Sequence, residues 1–463
     1  MKYKTLLILC FFNFTYASID KEITSLKKEL KLTAKDRIGL SILENDHEVI
    51  SRNKETKFIP ASTFKMVSAY YILETLGANH KFTTKLGYNG KLENGVLHGD
   101  LILSPSGDPY LLTSDLVNMA LSVRLAGITE IKGSLIISSD FPSLNRIGNV
   151  GLDDQPYNQG VSALNVNFNR FKAIKSNAIS EAFPKHDFFK YTQTKTNSPG
   201  EVFKRVDTKN KEHWKASRLS KYFYEVPIRD TLMYNAHYFL RLLADANIVV
   251  PKNLLLQKKE SSKLLYKKES ESVLKLVKLA MEYSNNLFIE TLSLKASGKK
   301  DLKEAANSMK LFYKKNFPSL NIHKLNFSNT SGLSLELKLK PRTLAKFLKK
   351  VSMKRYNDSY FISLLSLAGN GGFLAKKFLN DRTHLKFFAK TGSLDFVNGI
   401  CGQSIRTKKS FCLFINNFNK RNQLQGKNSQ SQEKLRQEAK GWKRKTDKAL
   451  QRIISLIYLK QLL

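Results

Sequence analysis

Three short groups of residues in this chain carry types and spacings suited to acyl transfer. They are Ser62-Thr-Phe-Lys65, Ser284-Asn-Asn286 and Lys390-Thr391-Gly392, the last followed by Ser393. A serine hydroxyl attacks a carbonyl only if something takes its proton. A lysine three residues further along a helix lies on the same face, within reach of that hydroxyl. If that face is buried, the ammonium is costly to keep charged and its pKa falls toward neutrality, which is what a general base needs. A second cation nearby, Lys390, would push Lys65 the same way and would attract a substrate carboxylate. Gly392, lacking a Cβ, would let a ligand backbone come close.

The pairing of Ser62 with Lys65 is not distinctive by itself. The same serine-to-lysine spacing recurs at Ser25/Lys28, Ser51/Lys54, Ser272/Lys275, Ser297/Lys300 and Ser431/Lys434. Most of those lie in polar or charged surroundings, and Ser272/Lys275 sits beside Glu271 and Lys278 on the wet face of an expected helix. Ser62 opens an otherwise apolar run, Phe64-Lys-Met-Val-Ser-Ala-Tyr-Tyr-Ile-Leu. A serine there serves equally as a helix cap. The buried lysine one turn on is what a cap does not explain. Lys-Thr-Gly occurs once, and the three groups in this order form a known catalytic set.

The elements that must position these residues can be read coarsely. Periodicity predicts a helix over Lys21–Leu32, strands near Ile38–Leu43 and Glu48–Arg52, and a long helix from about Ser62 to Gly77, with Pro60 and Gly77 as boundary residues. Residues 81–166 read as short strands with Gly and Pro turns, and about 168–222 as a small β module or a loose insertion. Helical periodicity returns at Thr231–Ala246, Ser270–Ser293 and Lys300–Tyr313. Leu385–Thr391, Val397–Ile405 and Ser410–Asn417 read as consecutive antiparallel strands, with Lys390 at the end of the first. A charged stretch after Phe418 leads to a final helix, Thr446–Leu462.

At 463 residues the chain needs two or three domains, and 42% hydrophobic residues suffice for a sizeable core, which excludes general disorder. The formal charge of +38 is spread along the chain, mostly as Lys. Either it favours polyanions or it reflects a Lys-rich coding habit. Lys2 and Lys4 precede an apolar run, Thr5 to Phe14, and Thr15-Tyr16-Ala17 supplies small residues where a secretory signal is cut. The sequence thus predicts a signal peptide over 1–17 and an exported, periplasmic protein that meets no nucleic acid. Its basic charge then allows electrostatic association with anionic envelope polymers. After cleavage Cys401 and Cys412 remain, open to a disulfide across a hairpin or to two buried thiols. No His or Cys spacing suggests a metal, and no cofactor is implied.

With these residues in place, the chain from about Asp20 to Asn417 resembles the DacB-type D-alanyl-D-alanine carboxypeptidase/endopeptidases, the class C low-molecular-mass penicillin-binding proteins. Further segments carry the likeness: Gly99-Asp-Leu, Gly107-Asp-Pro, Asp153-Asp-Gln-Pro-Tyr, Val161-Ser-Ala-Leu-Asn, Ser331-Gly-Leu-Ser, Pro341-Arg-Thr-Leu, Leu367-Ala-Gly and Gly372-Phe-Leu. More than two hundred residues separate Ser62 from Ser284, where the family holds an inserted domain. The resemblance implies an α+β fold: a penicillin-binding transpeptidase-like domain, with an antiparallel sheet flanked by helices, and a large inserted domain that itself carries a small β insertion. The expected boundaries are 18–80 and 266–463 for the first domain and 81–265 for the second, with the nested module at about 168–222.

By the same resemblance Ser62 would form the acyl-enzyme and Lys65 would activate it. Ser284 would relay a proton to the leaving nitrogen, and Asn286 would orient the substrate amide. Lys390 and Thr391 would hold the terminal carboxylate, and the backbone N–H groups of Ser62 and Ser393 would form an oxyanion hole. Asp154 would meet the amino group of a stem-peptide diamino acid. The implied partners are peptidoglycan stem peptides, with β-lactams as covalent inhibitors. Departures fall where substrate is read: Asn285 where Asp is frequent, Asn329-Thr-Ser-Gly for Asp-Gly-Ser-Gly, and Leu335 where a basic residue is common. A β-lactamase or esterase-like hydrolase on the same scaffold, or a non-catalytic polymer-binding protein, are the alternatives.

Overall fold

The computed structural model describes residues 17–33, 37–45, 47–176, 179–194, 202–206, 208, 211–217, 219, 222–424 and 430–458. The expected signal segment, up to residue 16, and the last residues of the expected final helix lie outside them. The chain divides into two compact units. One comprises residues 1–74, 277–285 and 306–463, the other residues 75–276 and 286–305.

The first unit is built on a six-stranded sheet. In spatial order its strands are Ser366–Leu367, Phe387–Leu394, Val397–Ser404, Ser410–Asn416, Arg37–Glu44 and His47–Arg52, each antiparallel to its neighbour. Alternation along the strands sorts the side chains. Ile38, Leu40, Ile42, Phe387, Ala389, Phe411, Leu413 and Ile415 join one buried cluster with Ile19, Ile23 and Leu26 of the helix over 17–29 and Trp442, Leu450, Ile453 and Ile454 of the helix Gln430–Ile457. This last helix begins sixteen residues before the expected Thr446, because its polar first half still offers an apolar stripe that reaches Ala439 and Trp442. Asn398 on the central strand donates to Thr446 and Asp447 of that helix, each at 2.9 Å.

The opposite sheet face receives the helix Pro341–Val351 and the turn Ala61–Phe64 that leads into the helix Lys65–Leu76. Gly39 makes room there, since a Cβ on it would lie 2.3 Å from the Phe58 ring and 2.8 Å from Pro341. The helix Lys65–Leu76 is buried over most of its circumference, and Tyr70 meets the rings of Phe312, Phe317, Phe347 and Phe361 edge-on or tilted. Each such ring pair adds about 0.5–1.5 kcal/mol beyond area burial.

The second unit has a five-stranded mixed sheet, ordered Asn253–Leu256, Ser134–Ile137, Leu101–Ser104, Thr83–Tyr88 and Lys263–Glu269. Helices Thr113–Leu125 and Thr231–Asp245 share its core. The first of these falls in the stretch read from sequence as strands; its buried face is only Leu116, Met119, Ala120 and Val123, a short stripe among polar residues. Within this unit, two three-stranded sheets lie between Arg170 and Pro227 and enclose a core of their own around Phe171, Phe203 and Trp214. Of the two readings left open for about 168–222, the small β module is the one realised.

The expected single helix Ser270–Ser293 is two helices, Val273–Glu282 and Asn286–Ser297. Between them Ser284 adopts φ +52°, a left-handed conformation that breaks the helical path. Apolar periodicity continues on both sides of this residue, so the break leaves no mark in the pattern.

Candidate active site

Ser62 lies in a single 3-10 turn, Ala61–Phe64, and the α-helix proper starts at Lys65. The long helix expected from Ser62 therefore begins three residues late. Ala61 has φ +46°, rare for a residue with a Cβ, so the turn carries local backbone strain just before the serine. Gly332, at φ +80°, packs against it: a Cβ there would lie 2.3 Å from the Ala61 carbonyl oxygen. Lys65 is fully buried, and its Nζ donates to Ser62 Oγ at 2.7 Å and to the Ser331 carbonyl at 2.9 Å. Ser68, one turn on, donates to the Thr330 carbonyl. The segment Asn329–Gly332 thus holds Lys65 through the Ser331 carbonyl and Ser68 through that of Thr330. Ser331 was visible in the sequence as part of a likeness, with nothing to mark its carbonyl as a partner of Lys65.

A second serine–lysine pair stands in the same unit. Lys390, only 2% exposed, donates from Nζ to Ser284 Oγ at 3.0 Å and to its own neighbour's carbonyl, Thr391 O, at 2.9 Å. Burial without a carboxylate partner brings its pKa down to about 7. The strand that carries it runs Phe387–Leu394, so Lys390 is in mid-strand rather than at the end. Phe387 and Ala389 point into the core under the terminal helices, which leaves Lys390 and Gly392 on the alternate face.

Gly392 faces the Ser62 turn. A Cβ on it would lie 2.4 Å from Pro60 O, 2.7 Å from Thr63 N and 2.9 Å from Ser62 N. In the folded chain this glycine makes room for the protein's own Ser62 turn. Ser366–Leu367 pairs with this strand only as far as Ala389. Among the described residues, then, the edge from Thr391 to Ser393 carries no further strand, and Thr391 is half-buried there while Ser393 is exposed.

Cys401 sits opposite Lys390 in the next strand and opposite Cys412 in the one after, and the two cysteines are disulfide-bonded with Cα atoms 4.1 Å apart. Directly paired residues of neighbouring antiparallel strands are near enough for such a bond.

Asn286 starts the helix Asn286–Ser297 in the second unit, where its Nδ2 donates to the Tyr157 carbonyl at 2.8 Å. Tyr157 was not singled out beforehand, and a backbone oxygen leaves no residue-type signal. Asp154 is buried, with Oδ2 accepting from the backbone N–H groups of Val202 and Phe203 at 3.0 and 3.3 Å and Oδ1 from Gln155 at 2.9 Å. Its carboxylate anchors the start of a strand of the β module. Among the described residues, no three His, Cys, Asp or Glu side chains converge as a metal-holding group.

A buried lysine on each of two serines, with Gly392 of the Lys390 strand packed against the Ser62 turn, is a recognisable arrangement, and residues 21–439 match the family described as D-Ala-D-Ala carboxypeptidase 3 (S13). The chain belongs to this family. It is a serine-type D-Ala-D-Ala peptidase by that membership. D-alanyl-D-alanine carboxypeptidase DacB of Haemophilus influenzae is 25% identical over 405 residues, 81% of this chain and 84% of the relative. The crystal structure of penicillin-binding protein 4 (dacB) from the same organism superposes with a TM-score of 0.73 at 22% identity, covering 91% of this chain and 98% of that one. A second structure of that protein, complexed with a β-lactam, gives a TM-score of 0.69 at 22% identity, with coverage of 91% and 98%. These likenesses establish the α+β penicillin-binding fold expected from the motifs. No helix among the described residues is long and apolar enough to cross a membrane.

Proposed function

We propose that this S13 enzyme cleaves the D-Ala peptide bonds of peptidoglycan stem peptides through an acyl-enzyme on Ser62. The observation that carries the reading is the 2.7 Å hydrogen bond between Lys65 Nζ and Ser62 Oγ inside a buried turn. In the reaction the neutral amine of Lys65 takes the Ser62 proton as Oγ bonds to the carbonyl carbon. The carbonyl π electrons move to oxygen, and backbone N–H groups of Ser62 and Ser393 stabilise that oxyanion, each worth roughly 3–4 kcal/mol. Ser284, bonded to Lys390, gives its proton to the leaving nitrogen as the C–N bond breaks and takes in exchange the proton that Lys65 had collected, so Lys65 is neutral again. Water, deprotonated by Lys65, then attacks the ester, and the protonated Lys65 returns that proton to Ser62 Oγ as the ester C–O bond breaks. Lys390 and Thr391 attract the carboxylate beside the leaving nitrogen, and Asn286 orients the substrate amide. The open strand edge at Thr391–Ser393 suits an extended peptide, which would pair with it as an added strand. Asp154 takes no part in this reading, since its oxygens already serve the backbone of Val202 and Phe203.

Removal of a terminal D-Ala and scission of a crosslink are the same chemistry, because each leaves an amine flanked by a carboxylate. β-Lactams would enter as covalent inhibitors, acylating Ser62. Export rests on the N-terminal lysines and the apolar run after them. The test is labelling with a fluorescent penicillin, followed by digestion of purified sacculi and analysis of the muropeptides. Loss of label in Ser62→Ala with loss of D-Ala or crosslinks by the wild type is expected. Equal labelling of both proteins would overturn the assignment, and rapid turnover of the penicillin itself would indicate a β-lactamase instead.

A further inference from the structure

Within the first unit, a cavity of about 470 Å³ opens between the segment Glu55–Lys57, the turns around Ser319–Leu325 and the start of the helix Pro341–Val351. None of the serine and lysine residues described above lines it. Its walls carry five cations, Lys57, Lys324, Lys340, Arg342 and Lys346, against one carboxylate, Glu55. That carboxylate is already engaged by Lys340 and Arg342, which hold it down to about 2. Lys57, Lys324 and Lys346 have no acidic partner within salt-bridge distance among the described residues.

Lys57, Lys324 and Lys346 are exposed around one concavity, where solvent screens their mutual repulsion, and an anion bound between them would meet all three ammonium groups. The helix start adds to the field. Its N-cap residue is Lys340, which supplies no side-chain cap, Pro341 follows at the first helical position, and no acidic residue occupies the first turn. The positive end of the helix dipole therefore has no acidic residue in its own first turn, and the one carboxylate lining the cavity, Glu55, is shared by Lys340 and Arg342 beside walls that Arg342 and Thr343 help form. Ser319, Asn321 and Thr343 add hydrogen-bonding groups, and Leu320 and Leu339 give the floor an apolar part.

We infer that this cavity is a binding site for a phosphate ester of a polyol or sugar, separate from the Ser62 centre. A phosphate suits it better than a lone carboxylate. A monoester carries more charge than a carboxylate, and monoester and diester alike present several oxygens that can be shared among several lysines at once. A cavity of this size holds one such unit, either a free phosphate monoester or one link of a phosphodiester polymer of the envelope. The site stands whether or not the Ser62 reading holds, because it uses none of those residues.

Because the whole chain is basic, the experiment must separate this site from diffuse charge. Calorimetry would titrate glycerol 3-phosphate, and then a short poly(glycerol phosphate), into the full-length protein at low ionic strength. A charge-reversed pair in the cavity, Lys324→Glu with Lys346→Glu, is compared with a pair of equal charge change on the same helix outside it, Lys349→Glu with Lys350→Glu. Circular dichroism spectra and melting temperatures of both pairs, matched to the wild type, report that the fold is intact. The cavity pair should lose at least about tenfold in affinity while the outside pair loses less than about threefold. Equal losses in the two pairs, or no saturable binding by the wild type, would overturn the inference. Tighter binding of the polymer than of the monoester identifies the polymer as the ligand; equal binding per phosphate identifies the monoester.

Discussion

The two serine–lysine pairs of the first unit make the same contact, a buried lysine donating to a serine hydroxyl, by different routes. Ser62 and Lys65 are three residues apart on one turn, so any helical backbone through them brings the groups together. Ser284 and Lys390 are 106 residues apart, and they meet only because a helix ends in a left-handed residue and a sheet strand passes beside it. Lys65 is steadied from outside by the Ser331 carbonyl, whereas Lys390 takes its second acceptor from its own strand at Thr391. The local pair should therefore survive distant packing changes that pull the remote pair apart.

The largest expected effect breaks the local pair. Ser62→Ala should abolish penicillin labelling, and Lys65→Ala should slow acylation by about 10²–10⁴, the usual contribution of a general base, measured as label against time. Next comes the remote pair. Burial lowers Lys390 to about 7, so it is cationic below that pH and neutral above it. On a carboxylate-terminated peptide, kcat/KM should fall as pH rises through about 7, and the limb should be absent in Lys390→Met or when the substrate carboxylate is amidated. A limb that persists in Lys390→Met would assign it to another group.

A double-mutant cycle sharpens the contrast. Ser284→Ala and Lys390→Met should couple by about 1–3 kcal/mol in acylation, because each leaves the other without its partner, while Ser284→Ala and Ser68→Ala should be nearly additive. The smallest change is Gly392→Ala, which adds one methyl against Pro60 O, Thr63 N and Ser62 N. It should cost about 1–3 kcal/mol in stability by denaturant melt, with a disproportionate loss of labelling rate, since the strand must retreat from the nucleophile turn.

Much of this site was legible before the fold was known because the informative spacings are local or are exact short words. The run Phe64–Leu73 exposes a helix with no polar face, which makes its lysine conspicuous, and Lys-Thr-Gly stands alone in the chain. Less legible were contacts through the backbone. The carbonyls of Ser331, Thr330 and Tyr157 hold Lys65, Ser68 and Asn286, and every residue type has a carbonyl. The contacts of Asp154 were illegible for a related reason: a carboxylate reads the same in sequence whether it faces a ligand or accepts from backbone N–H groups, as Asp154 does from Val202 and Phe203.

The sequence by itself determined which serines and lysines stand as candidates for the chemistry, and in which order they come along the chain. Helical geometry converts a spacing of three into a contact, so Ser62 and Lys65 were paired in advance. Tertiary structure alone decided the rest. The contact of Ser284 with Lys390, the approach of Gly392 to Ser62, and the gathering of Lys57, Lys324 and Lys346 around one cavity all join residues far apart in the chain, and strand register decided that Cys401 and Cys412 face each other. Such meetings depend on which strands pair and which faces pack, and the register of a sheet is set by all its strands together.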